Sequence, residues 1–230
     1  MTARPARAAF FDVDETLITV KSMLRFLEFH LAAAGEPPSA YPAAVAHLRG
    51  LAHAGVAREH ANREYYRHFA GRDVAEVAEH GRAWFARERR ERELFHPPAL
   101  AEFHEHARAG DLTVLVSGSF TPCLEPIAEL IGANLVLCSA PEIHDGRYTG
   151  ALRVPMIGAG KASAARAVMA ARGLDARDCA AYGDHASDLP LLLSVGCPVI
   201  VGDDPVLVEQ ADRHGWRRLP GLRDHQQQAG

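Results

Sequence analysis

From residue 97 onward the chain alternates amphipathic stretches with short apolar runs, and this alternation restricts its fold more than any other feature. A helical pattern over residues 99–109 leads to the run Leu112-Thr113-Val114-Leu115-Val116, and one over 121–131 leads to Leu135-Val136-Leu137-Cys138. Residues 141–154 read as a hairpin turning at Asp145-Gly146. A helix over 161–172 then leads to Cys179-Ala180-Ala181-Tyr182, and one over 187–194 to Pro198-Val199-Ile200-Val201. Strands this uniformly apolar need cover on both faces, and intervening helices supply it. The expectation is an α/β fold: a parallel sheet with helices on both sides.

Residues 7–12, carrying Ala8-Ala9-Phe10-Phe11, form one more such strand and must join the same sheet. Between this strand and residue 97 the texture is helical. Ser22 is placed to cap the apolar series Met23, Leu24, Phe26, Leu27 and Leu31. Gly35-Glu36-Pro37-Pro38 breaks that helix, and further amphipathic segments follow around 41–53, 57–70 and 73–93. No strand-like alternation occurs in this block. The chain of 230 residues therefore reads as a Rossmann-like core made of residues 1–19 and 97–222, interrupted by a helical cap over 20–96. Residues 223–230, rich in Gln, read as a disordered tail.

Composition excludes several classes of partner. The formal net charge is −4 and the Lys and Arg residues are scattered, so no basic stripe suits nucleic acid or an anionic membrane surface. No apolar run is long enough to span a bilayer, and Met1–Arg7 lacks the apolar centre of a signal peptide, which together suggest a cytoplasmic protein. The cysteines Cys123, Cys138, Cys179 and Cys197 are widely separated, as reduced core thiols would be. His104 and His106 stand two residues apart on a helix, hence on different sides of it, and fit an exposed polar face better than a metal site.

Chemistry-bearing residues gather at strand ends and helix starts. The first strand runs into Asp12-Val13-Asp14-Glu15-Thr16, two carboxylates where a hydrophobic strand emerges. Ser117-Gly118-Ser119 directly follows another strand, and its hydroxyl and N–H groups can bind phosphate oxygens. Gly158-Ala159-Gly160-Lys161 presents an ammonium at a helix N-terminus without the spacing of a P-loop. Gly183-Asp184-His185-Ala186-Ser187-Asp188 adds two more carboxylates after a third strand. Each piece is unspecific by itself; their order and placement point to phosphoryl transfer at the carboxyl end of a sheet.

With these motifs in this order, the chain resembles the haloacid dehalogenase superfamily over about residues 7–216. The likeness is to its phosphoserine-phosphatase-like branch (subfamily IB), in which a helical cap follows the first strand. The resemblance implies a Mg²⁺-dependent phosphatase acting through an aspartyl-phosphate. Asp12 would be the nucleophile and Asp14 the general acid/base. Ser117, Gly118 and Lys161 would hold the phosphoryl group. Asp184 would bind Mg²⁺ together with Asp12 and the Asp14 backbone carbonyl, and Asp188 would support the metal or Lys161. The chemistry is coherent, since an anionic nucleophile approaching an anionic phosphate needs positive charge nearby.

Transfer to an acceptor other than water, by a phosphotransferase or phosphomutase, uses the same residues and stays open. A phosphorylatable receiver domain would place its acceptor Asp after a mid-chain strand and lack Asp14. The implied partner is a small phosphorylated metabolite. Phosphoserine phosphatases carry a glutamate nine residues after the nucleophile; here that residue is Lys21, which would repel an ammonium. Lys21, Met23 and Arg25 are thus candidates for substrate choice, and His185 either contacts substrate or faces the cleft rim. Arg58 and Arg63, farther into the insertion, fit a solvated helix face.

Overall fold

A computed structural model describes residues 6–222; the segment read as a tail, 223–230, lies outside the described residues. The first strand is β1 (Ala8–Phe11), followed by four helices, α1 (Ser22–Ala33), α2 (Ala40–His53), α3 (Arg58–Tyr66) and α4 (Val74–Glu91). The alternating part comprises α5 (Pro97–Ala109), β2 (Leu112–Ser117), α6 (Thr121–Ile131) and β3 (Leu135–Cys138), then the antiparallel pair β4 (Ala140–His144) and β5 (Arg147–Val154). It continues through α7 (Ala159–Arg172), β6 (Ala180–Gly183), α8 (Leu189–Leu192), β7 (Cys197–Val201), α9 (Pro205–His214) and β8 (Arg217–Leu219).

The six strands other than β4 and β5 form one parallel sheet in the order β3-β2-β1-β6-β7-β8. Side-chain alternation splits its core in two. Ala8 and Phe10 join Val114, Ala181 and Ile200 on one face, under α7 and α9 through Ala165, Met169, Leu207 and Ala211. Ala9 and Phe11 join Leu115, Tyr182 and Val199 on the other, under α5 and α6 through Phe103, Leu124 and Ile127. There Phe11 stacks on Tyr182 with ring centroids 4.2 Å apart. Burying an aromatic of this size contributes roughly 1.5–3 kcal/mol, and the insertion adds Phe26, Tyr65, Phe69 and Trp84 to the same apolar body.

Three contacts seat α1–α4 on the sheet. The two connecting segments run side by side, Thr19 N–H donating to the Leu94 carbonyl at 2.8 Å and His96 N–H to the Leu17 carbonyl at 3.0 Å. Helix α4 meets α6 at Gly81, where a Cβ would stand 2.1 Å from the Pro122 carbonyl oxygen, so only glycine admits this approach. The chain between α3 and α4 pairs with β5: Tyr148 N–H donates to the Arg72 carbonyl at 3.0 Å and Gly71 N–H to the Tyr148 carbonyl at 2.8 Å.

Several local expectations change. Ser22 does not cap α1; it is the first helical residue, fully buried, with Lys21 in the cap position and no side-chain cap bond. The segment over 57–70 is α3 followed by a separate 3₁₀ turn over Arg67–Phe69. The helix expected over 187–194 is a 3₁₀ turn, Ala186–Asp188, followed by the single turn of α8. Helix α9 and strand β8 extend the sheet at one edge; β8 is Arg-Arg-Leu, too short and too polar to show strand periodicity. The hairpin turn matches, with Asp145 and Gly146 at φ 47° and 74°, both left-handed as a two-residue type I′ turn needs. Among the described residues no helix is long and apolar enough to cross a membrane.

Candidate active site

Chain order reverses across β1: the chain first moves outward to β2 and β3, then returns to lay β6 on the other side. The crevice above the carboxyl ends of these central strands is where open α/β sheets place ligands. Asp12 extends β1 by one residue, its N–H donating to the Tyr182 carbonyl at 2.9 Å. The chain then turns tightly, the Val13 carbonyl accepting from Leu17 N–H at 2.9 Å and Ile18 N–H at 3.0 Å, with Glu15 at φ 64°. Asp12, Asp14 and Glu15 all line the resulting cleft, with Ser117, Gly118 and Ser119 from the end of β2. Lys161, from the first turn of α7, and Asp184 and Asp188, from beyond β6, complete its floor.

The floor is dense in charge, with Asp12, Lys161 and Asp188 buried and Asp14 and Asp184 half-buried. Lys161 is buried and its Nζ donates to Asp12 Oδ1, in close contact, and to Asp188 Oδ1 at 2.6 Å. Burial alone would lower the Lys161 pKa, but Asp12 and Asp188 together hold it above its usual value. Burial pushes the Asp12 carboxyl up, against the opposing pull of Lys161. Burial, with the nearby charges of Asp12 and Asp188, raises Asp184 to about 8, although Thr16 Oγ1 donates to its Oδ1 at 2.8 Å. Asp14 is raised to about 7, chiefly by burial, with hydrogen bonding from Ser22 opposing. Instead of capping α1, the Ser22 hydroxyl donates to Ser119 Oγ at 3.1 Å. Gly183 leaves room for this packing: a Cβ there would lie 2.7 Å from Asp188 Cβ.

The floor also fits a hard divalent cation. Oxygens of Asp12, Asp184 and Asp188 lie within 4.8 Å of one another, the only such cluster among the described residues. One ammonium faces three carboxylates; Asp12 and Asp184, raised first by burial, are raised further by the neighbouring carboxylate charges. An all-oxygen donor set with excess negative charge suits Mg²⁺.

The mouth is built from both parts of the chain. Lys21 Nζ lies 3.1 Å from Glu15 Oε2, and Met23 forms part of the wall. Arg58 Nη1 donates to His185 Nδ1 at 2.9 Å, and that nitrogen also accepts from Ser187 N–H at 3.0 Å. Partial burial and the Arg58 charge lower the His185 pKa. Arg58, expected on a solvated helix face, is exposed and also lines the cleft mouth as the first residue of α3. Arg63, one helix face away, is exposed.

Two other expectations fail. Arg25 is absent from the cleft; it pairs with Glu28 at 2.9 Å and with the fully buried Glu88 at 3.0 Å, a carboxylate that needs a cation. His106 is not on an exposed face but bridges Asp111 Oδ2 at 2.6 Å and the Tyr182 hydroxyl at 2.9 Å. Conversely, Asn62, Tyr66 and Ile157 touch the site or its loops without any sequence signal beyond ordinary helix and strand patterning, whereas Thr16, which closes the first motif, donates to Asp184.

The family described as haloacid dehalogenase-like hydrolase matches residues 9–193. A protein of Streptomyces azureus named for inhibition of morphological differentiation is 33% identical over 231 residues, spanning 92% of this chain and 77% of that one. A phosphoserine phosphatase of Mycobacterium tuberculosis is 29% identical over 217 residues, spanning 91% of this chain and 69% of that protein. A crystal structure of a protein of unknown function from Bordetella pertussis Tohama I superposes with a TM-score of 0.81 at 28% identity, covering 94% of this chain and 98% of the other. With the family match running from β1 to the end of α8 and the four motifs converging on one cleft, the chain belongs to the haloacid dehalogenase-like hydrolases.

Proposed function

We propose that this protein is a Mg²⁺-dependent phosphatase of a small phosphomonoester, acting through a phosphoryl group carried transiently on Asp12. The observation that carries the reading is the buried Lys161 ammonium shared between Asp12 and Asp188 on the cleft floor beside Ser117. Asp12, Asp184 and the Asp14 carbonyl would hold the ion, which when bound supplies charge to offset two anions meeting.

In the first step an Asp12 carboxylate oxygen bonds to phosphorus as the bond from phosphorus to the leaving oxygen breaks. Asp14 gives that oxygen its proton. In the second, Asp14 takes a proton from water, the water oxygen bonds to phosphorus, and the Asp12–phosphorus bond breaks to release phosphate. Lys161 and Ser117 hold the phosphoryl oxygens throughout.

The cavity is about 160 Å³, small beside the roughly 300–1,000 Å³ usual for ligand pockets, so the substrate is a small metabolite. The helices over 20–96 act as the cap closing on it. Lys21 and Arg58 at the mouth favour a leaving group bearing an anionic or hydroxyl-rich end, with His185 on the rim. Hydrolysis of p-nitrophenyl phosphate with Mg²⁺ tests the class, and Asp12→Asn should lower it by about three orders of magnitude or more. An active Asp12→Asn enzyme would overturn the nucleophile. A panel of phosphorylated metabolites including phosphoserine then tests the mouth; strong preference for phosphoserine would overturn the reading of Lys21.

A further inference from the structure

The loop Ser117-Gly118-Ser119 is held from the insertion by two donors aimed at one atom. Asn62 Nδ2 donates to the Gly118 carbonyl oxygen at 3.0 Å, and the Tyr66 hydroxyl donates to the same oxygen at 2.9 Å. Both side chains are buried, Asn62 at 5% exposure and Tyr66 at 0%. Asn62 is itself oriented by Ser139, whose hydroxyl donates to Asn62 Oδ1 at 3.3 Å while accepting from Met156 N–H at 3.0 Å.

The Gly118–Ser119 peptide is planar and trans, so fixing its carbonyl fixes the N–H on its opposite side. That N–H, of Ser119, donates to Ser117 Oγ at 3.0 Å. A hydroxyl whose lone pair is taken in this way keeps its hydrogen to give, and Ser117 lines the cleft floor with Asp12 and Lys161. A Gly118 carbonyl turned the other way would point partial negative charge at the phosphoryl oxygens and release the Ser117 rotor.

We propose that Asn62 and Tyr66 are positioning residues: by clamping the Gly118 carbonyl they aim the Ser117 hydroxyl at the phosphoryl group, making catalysis depend on the insertion being seated. The inference rests on the proposed phosphatase reading. It goes beyond it by assigning two residues of the insertion a role in phosphoryl binding rather than in substrate choice or closure.

The test uses the full chain with Mg²⁺, p-nitrophenyl phosphate as substrate and orthovanadate as the probe of the phosphoryl site. Tyr66→Phe deletes a single hydroxyl and keeps the ring, and Tyr66→Phe/Asn62→Leu removes both donors. Tyr66→Phe should lower kcat about fivefold to tenfold, the rate equivalent of one hydrogen bond. The orthovanadate inhibition constant should rise by a similar factor. The double variant should lose more on both measures.

A merely structural role would lower the melting temperature and leave kcat per folded molecule and the orthovanadate constant at wild-type values. That result overturns the inference while leaving the phosphatase reading intact. A wild-type protein that neither hydrolyses the ester nor binds orthovanadate overturns the reading beneath and this inference with it.

Discussion

Lys161 is a buried ammonium with carboxylates on two sides, and such groups are stable inside a protein only while each charge keeps its partner. Lys161→Met should therefore cost about 3–5 kcal/mol in urea unfolding, the usual loss when one member of a buried pair is removed, and abolish turnover. Lys161→Arg should not restore turnover, because a planar fork cannot occupy the space of a point charge between Asp12 and Asp188. Asp184 poses the opposite case: it adds a third carboxylate to a floor with one cation, and its pKa of about 8 shows the ionised form disfavoured there. In chelator, Asp184→Asn should melt higher than the wild type. Added Mg²⁺ should stabilise the wild type by mass action and leave the variant unmoved. Equal responses of both proteins would remove Asp184 from the ion site. At this scale the motif residues were readable because carboxylates and an ammonium at strand ends violate ordinary burial preference. Asn62 and Tyr66 were not, since a buried Asn or Tyr on an amphipathic helix has many ordinary explanations.

At the scale of elements, strands β1, β2, β3 and β7 followed from short uninterrupted apolar runs and most helices from apolar periodicity, within a residue or two, because strands covered on both faces are uniformly apolar whereas a helix buries one face. In the structure helix α4 is capped by Asp73, whose side chain accepts from Ala75 N–H at 2.9 Å. Its tightest contact was invisible: Gly81 reads as a weak spot in a helix, yet it lets α4 pack on the Pro122 carbonyl. Gly81→Ala, which raises intrinsic helix propensity, should instead destabilise by about 1–3 kcal/mol through overpacking. Chemical denaturation measures it, and a stabilised variant would show the two helices free to separate. Ser22 and Arg25 illustrate the same limit from another side. A hydroxyl before an apolar run and a cation near a suspected site have local readings that packing overrode, one by burial beside Asp14 and the other by the demand of Glu88.

For the molecule as a whole, the join between insertion and sheet is one apolar body, and a buried histidine sits within the insertion's share of it. His30 is fully buried between Phe26 and Phe69, with Nδ1 2.9 Å from His80 Nδ1. Burial, His80 and Arg72 lower its pKa to about 4. The unfolded chain takes up this proton near the ordinary value of about 6.5, the folded one only near 4. Stability from neutral His30 is thus complete above the unfolded value and is lost as pH falls from there toward 4. The difference in unfolding midpoint between wild type and His30→Phe should change with pH over that window and be flat above it; a difference flat throughout would show His30 free to protonate in place.

The sequence by itself determined the parallel sheet, the helical insertion and the four polar motifs at strand ends and helix starts, because each is a local pattern set against a general cost of burial. Only the tertiary structure decided which insertion residues reach the cleft or the loop behind it, since Arg58 at the mouth and Asn62 and Tyr66 on the Gly118 carbonyl differ from their helical neighbours in nothing but the direction in which packing turns them.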